Sequence, residues 1–370
     1  MNTVGLRRTP VEGDAAQRSL FTHLAATEET LRRFLRTLDP TADCLITPAA
    51  DVGPPYDALR LWGGFATGCV VQWDCSVPVV PVDVTMNIDT TSIFNLAGDP
   101  GPILNAAAVE SARRTIVEES SYLWNFDSGN HFISLTRSDT GWALVLHSNE
   151  KEFKDQYNGL FPRPGTWYAK NIREAEGPRP MRFLVGEDAL TFTELSEMLV
   201  PFNRLRHRLI ARLLLDGASD VTGEWHKEHY FMPTKSSAAI GAFLCEPGEP
   251  VLVFSTLGRP LMWFEPVAGG SNVTSWEDGR DALVVPHGWG MTADPFDVTV
   301  ERDALVVNGC RLDPVPGVSL FEGLGVRPRV FESNQAFAEA ISWHTPGRIV
   351  SELTQVESYS RHGALRHDDR

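Results

Sequence analysis

The sequence predicts a mixed α/β (α+β) fold, with strands gathered around a central cleft and helices outside. Three observations predict it. Hydrophobic residues make up 42% and charged residues 22% of the 370 positions, the composition of a packed globular chain and not of a disordered, collagenous or coiled-coil one. Segments with a helical apolar period alternate along the chain with short apolar runs bounded by Gly and Pro. No run of about 18 apolar residues is present, so no transmembrane helix is expected.

Residues 14–38 read as an amphipathic helix: Leu20, Phe21, Leu24, Leu31, Phe34, Leu35 and Leu38 fall on one face, and Pro40 ends the pattern. Residues 45–96 interleave apolar stretches with Gly and Pro (TPAADVGPPYD, WGGFATGCVVQW, PVVPVDVTMNID) and predict strands joined by tight loops. A helix follows over 106–120, then two strands near 132–136 (FISLT) and 142–147 (WALVLH). Residues 192–216 give the strongest helical pattern, with Pro201 as a kink and Gly217 as its C-cap. Residues 229–265 and 282–311 are strand-rich, and VTVERDALVV (298–307) reads as a hairpin. A late helix is expected over 334–343 and a frayed polar tail in GALRHDDR. Residues 150–191 and 265–282 read as peripheral loops able to act as lids.

Lys and Arg total 33 against 48 Asp and Glu, a net charge of −15. That balance lacks the broad positive field of a general nucleic-acid binder. The five cysteines are scattered without a C-x-x-C, which argues against a disulfide framework or a structural zinc site and fits a reducing cytoplasm. The first residues, MNTVGLRRTPVEGD, lack the apolar core of a secretory signal.

The signatures of dinucleotide enzymes, P-loop NTPases, zincins and α/β-hydrolases are all absent. Histidines placed at strand ends and beside glycines remain. Gly129-Asn130-His131 opens one strand and His147-Ser148 closes the next, so a hairpin would put His131 and His147 at the same end. Glu224-Trp225-His226-Lys227-Glu228-His229 offers two more imidazoles, on opposite faces if the segment is a strand, so either is the candidate ligand. His287 lies in Pro286-His287-Gly288-Trp289-Gly290. Imidazoles converging from several strand ends suit Zn, Mn, Fe or Ni, and an upstream carboxylate, Asp83 or Asp89, would favour a harder ion such as Mn²⁺.

In this order the motifs resemble the RtcB family of GTP- and Mn²⁺-dependent RNA ligases. ITPAADVGPPYD through VTMNIDTTS is similar to that family's first block. GNHFISL, WALVLHSNEKEF, DVTGEWHKEHYFMPTKSSAA, GEPVLVFSTLGRP, VPHGWGM and VSELTQVESYSRHG resemble its later motifs, colinearly over about residues 42–363. The resemblance implies a catalytic domain over 42–363, preceded by a helical segment (1–41) and followed by a polar tail (364–370). It implies metal ligands Asp89, His131, His147 and His226, with Ser92 where the family has a bridging cysteine. It also implies His287 as the nucleophile that accepts GMP, and Asn130, Lys235 and His362 as nucleotide contacts. Divalent metal is the implied cofactor, Mn first and Zn, Fe, Co or Ni as alternatives, with GTP as the second; RNA ends would be the substrate. Several phosphate-binding positions differ: HSNEKE, PTKSS and PHGWGM lack the family's arginines. Histidines kept while phosphate contacts are lost lead to a second reading, a metalloenzyme for a small molecule without GTP. A non-catalytic binding protein is the third.

Overall fold

An antiparallel sheet of 11 strands organises the molecule. The computed structural model describes residues 13–120, 122–149, 165–176, 179–276 and 279–367. In chain order its strands are β1 (Asp43–Gly53), β2 (Thr67–Asp74), β3 (Val79–Pro81), β4 (Asp89–Leu96), β5 (Phe132–Ser138), β6 (Gly141–Ser148), β7 (Arg173–Glu174), β8 (Arg182–Val185), β9 (Val221–Thr234), β10 (Ser237–Ile240), β11 (Ala242–Cys245), β12 (Val251–Val253), β13 (Leu261–Pro266), β14 (Val273–Ser275), β15 (Asp281–Pro286), β16 (Met291–Thr292), β17 (Val298–Val300), β18 (Leu305–Val307), β19 (Cys310–Leu312), β20 (Arg327–Pro328), β21 (Gly347–Ser360) and β22 (Gly363–Arg366). The helices are α1 (Ala15–Leu38), α2 (Ala58–Trp62), α3 (Ala106–Glu119), α4 (Glu187–Leu215) and α5 (Asn334–Ile341). The fold is mixed α+β, as the alternating patterns predict. The large sheet runs β1-β2-β10-β9-β4-β6-β5-β21-β13-β12, with β22 beside β21, and β11-β15-β14 forms a separate three-stranded sheet.

Strand alternation splits the sheet into two faces, and both are covered. In β6, Leu144 and Leu146 join a core with Ile116 of α3 and Ile210 and Leu214 of α4. Their neighbours Ala143 and Val145 join the opposite core, with Leu252 and Phe254. In β4, Phe94 and Leu96 face the helices and Ile93 faces away. Burial on both faces explains why WALVLH reads as a continuous apolar run. The hairpin is real: Phe132 of β5 pairs with His147 of β6.

The helices follow the sequence closely. Asp14 and Gln17 close a capping box at the start of α1. α4 starts at Glu187, five residues before the apolar period begins, and Asp216 rather than Gly217 is its C-cap, in the left-handed region at φ 35°. The hairpin over 298–307 forms, with Val298 opposite Val307.

Three expectations are corrected. The polar C-terminal segment is not frayed over 363–366: those residues form β22, paired to β21 through backbone bonds that do not depend on apolar side chains. The stretch 265–282 is not a bare loop, because β14 lies in it and pairs with β15. The described part of 150–191 likewise holds β7, β8 and the start of α4, while 150–164 and 177–178 lie outside the described residues. Among the described residues no helix is long and apolar enough to cross a membrane.

Candidate metal centre

The alternation that sorts the core also sorts the polar residues at one end of the sheet. Asp89 and His147 share the parity of Ile93, Ala143 and Val145 and so lie on the face away from α4. His229 lies three residues from His226, whose ring meets Ser92 on the α4 face, so strand alternation puts His229 on their face. Asp89 pairs with Tyr230 and Thr90 with Glu228, so His229 is the extra residue of a β-bulge. One ligand atom from each of Asp89, His147 and His229 lies within 4.8 Å of the others, and all three residues are buried.

Burial pushes the His147 and His229 imidazoles well below their ordinary value of 6.5, and neighbouring histidines push them further; at His229 the Lys227 carbonyl works weakly the other way. Both rings are therefore neutral at pH 7, the form that offers a lone pair to a metal. Neither ring nitrogen of His147 has a hydrogen-bond partner among the described residues. A fully buried imidazole that meets no partner is costly unless something else satisfies it.

Two further histidines flank the cluster. The His131 ring lies 5.8 Å from that of His147. Its Nδ1 is 2.8 Å from the Asn125 carbonyl; a carbonyl only accepts, so Nδ1 carries the proton and the neutral ring's lone pair sits on Nε2. His287 stacks on His229 with centroids 5.3 Å apart and planes 18° from parallel. Its Nδ1 is 2.9 Å from Asp51 Oδ2. Burial lowers the His287 pKa, but the charge and hydrogen bond of Asp51 outweigh it and leave the group raised. The His287 loop is held by Phe254, whose N–H donates to the His287 carbonyl and whose carbonyl accepts from the Trp289 N–H. Gly290 adopts φ +75°, where a Cβ would stand 2.4 Å from the Asp51 carbonyl oxygen, which explains the second glycine of PHGWG. Phe132, Phe243 and Phe254 wall the imidazoles.

Ser92 and His226 do not join this cluster. Ser92 lies three residues from Asp89 and faces α4, where its Oγ is 2.7 Å from Nδ1 of both His207 and His226. The hydrogen bonds have one consistent direction. The Glu224 carboxylate must accept from His226 Nε2, 3.1 Å away, so His226 Nδ1 accepts from the Ser92 hydroxyl. Ser92 then accepts from His207 Nδ1, and His207 Nε2 accepts from the Ser148 hydroxyl at 2.7 Å. Ser148 in turn accepts from Arg206 Nη2 at 3.0 Å. The resemblance-based ligand His226 is thus replaced at the cluster by His229, and Ser92 is a hydrogen-bond hub on the other face.

The nucleotide contacts implied by resemblance lie outside the buried cluster. Asn130 is exposed in the turn before β5, and His362 is exposed in the β21–β22 turn at the same end of the sheet. Lys235 is exposed in the β9–β10 turn, six residues and roughly 20 Å along the strand from His229. Asp83, the other carboxylate considered, is fully buried and spent on Arg182, whose Nε donates to it at 2.9 Å. Sequence reasoning assigned no role to Asp51 or His207. A charged residue inside the apolar run of PAADVG was the available signal for Asp51; His207 had none, since it stands between Arg206 and Arg208 on a long helix.

A scan of protein-family models finds none that matches this chain, and a search of curated proteins finds no relative.

Proposed function

We propose that this chain is a metal-dependent enzyme whose divalent cation is held by Asp89, His147 and His229. One observation carries the reading: three buried donors of the right chemistry from three strands converge within 4.8 Å. Two imidazoles and a carboxylate suit Mn, Fe, Co, Ni or Zn. The bound cation would act as a Lewis acid toward an oxygen of the substrate. His131, 5.8 Å ring to ring from His147, is a further imidazole beside the cluster. His287, anchored at Nδ1 by Asp51 and with its pKa raised, would serve as the proton-transfer group.

Among the described residues, the titratable groups acting on His147, His229 and His287 are other histidines and the carboxylates of Asp51 and Asp89. Together with the phenylalanine walls, that environment favours a small substrate over a polyphosphate chain. The test is metal content after loading with Mn²⁺ or Zn²⁺ and exhaustive dialysis. Wild type should retain a stoichiometric ion that His147→Ala and His229→Ala lose. Equal retention by all three proteins, or none by wild type, sinks the proposal.

The position of His287 beside the cluster favours a second reading, the GTP-dependent joining of RNA ends that the family resemblance implies. There, His287 Nε2 would attack the α-phosphate of GTP, forming a phosphoramidate and releasing pyrophosphate. Intact mass after incubation with GTP and Mn²⁺ separates the two readings. A GMP-sized increase in wild type but not in His287→Ala supports ligation. No increase, with metal retained, leaves the small-molecule enzyme.

A further inference from the structure

A cavity of about 610 Å³ opens on the far side of α1, lined by that helix (Arg18, Ser19, Thr22, His23), by Arg179 and by residues 294–299. No strand of the candidate metal centre borders it. Its distinguishing feature is Arg179. The side chain is partly buried, and one nitrogen, Nη1, makes both of its hydrogen bonds: 3.1 Å to His23 Nδ1 and 3.4 Å to Thr27 Oγ1. His23 is itself buried and kept neutral, so it accepts from the guanidinium without offsetting its charge.

Among the described residues no carboxylate pairs with Arg179, and burial alone acts on its ionisation. An arginine with much of its surface buried is ordinarily matched by an anion. His23 and Thr27 fix one edge of the fork, and Nε and Nη2 meet no partner among the described residues. A guanidinium held in that way is preorganised for two parallel bonds to an oxyanion. Arg18 on the same helix adds a second positive charge to the lining, and Ser19 and Thr22 add hydroxyls. The volume falls within the range of small-molecule sites. Exposed Asp294 and Asp297 also line the cavity, which disfavours a polyanion and suits a ligand with one anionic end and hydrogen-bond donors at the other.

We infer that this cavity binds a small metabolite through its phosphate or carboxylate group, with Arg179 as the anchoring cation and His23 as the residue that positions it. The binding site is independent of the metal centre. Isothermal titration of the full chain with inorganic phosphate, and separately with 4-hydroxybutyrate, tests it and shows which oxyanion is preferred. Wild type should take up at least one of the two probes saturably. Arg179→Met, which keeps the apolar length of the side chain, should weaken that uptake at least tenfold while metal content stays unchanged. Arg179→Lys, which keeps the charge and loses the fork, should fall between them. Absence of saturable uptake of both probes by wild type overturns the inference, as does unchanged affinity in Arg179→Met.

Discussion

The imidazoles of His147 and His229 lie nearly parallel, with centroids 4.9 Å apart and planes 23° from coplanar orientation. Two neutral rings so placed, with the buried Asp89 carboxylate within reach of both, form the core of the proposed centre. His229 and His226 stand three apart on β9, so their side chains leave opposite faces of the sheet and take different roles.

That separation gives the sharpest prediction. His229→Ala should lower affinity for a divalent ion at least tenfold, whereas His226→Ala should leave it within about twofold, as expected for a first ligand against a residue that touches none. Elemental analysis of both variants after identical loading decides it. Metal loss in His226→Ala alone would restore the ligand set that the family resemblance implies.

Ser92→Ala should cost stability without costing metal. Removing the hydroxyl breaks the bonds to His207 and His226 and leaves buried ring nitrogens unsatisfied, at about 1–3 kcal/mol. Chemical denaturation measures the loss, and unchanged metal content in the same variant places Ser92 outside the centre.

Asp83→Ala should be among the most damaging single changes. It strands the mostly buried Arg182, whose Nε and Nη2 both donate to Oδ1 while its backbone N–H donates to Oδ2; among the described residues no other carboxylate pairs with it. Removing one partner of such a pair costs about 3–5 kcal/mol. A denaturation midpoint within error of wild type would show that the pair contributes nothing.

Acid should destabilise the fold well above the carboxylate range. Burial, reinforced by the Arg179 charge, holds His23 at about 3, and burial holds His344 at about 4 against opposing contributions from the Pro48 carbonyl and Asp51; the ordinary value is 6.5. Below pH 6.5 the unfolded chain takes up protons that the native chain refuses. The unfolding free energy therefore falls as pH drops from 6.5 towards 4 for His344 and towards 3 for His23. Each ring contributes a slope of about 1.4 kcal/mol per pH unit within its window. Denaturation at pH 7.0 and 5.5 measures the combined slope. His344→Gln, which cannot titrate, should flatten it; an unaltered slope would mean that His344 protonates equally in both states.

Local patterns by themselves determined much of the molecule. The apolar period set α1, α3 and most of α4, because a helix face buried against a sheet leaves its spacing in the chain. Alternation and turn residues set the β5–β6 hairpin and therefore placed His131 and His147 at one end of it. Asp89 and His287 were also visible as candidates. The tertiary structure alone decided which imidazole of β9 joins them: alternation sends His226 and His229 to opposite faces, and the pairing of β4 with β9 sets which of those faces carries Asp89 and His147. It also decided that Ser92 faces α4, that Asp51, some 236 residues before His287 in the chain, anchors that ring, and that Asp83 is held by Arg182. These are contacts between segments far apart in sequence, fixed by sheet order and by which face each strand buries, and no local pattern in the residues encodes them.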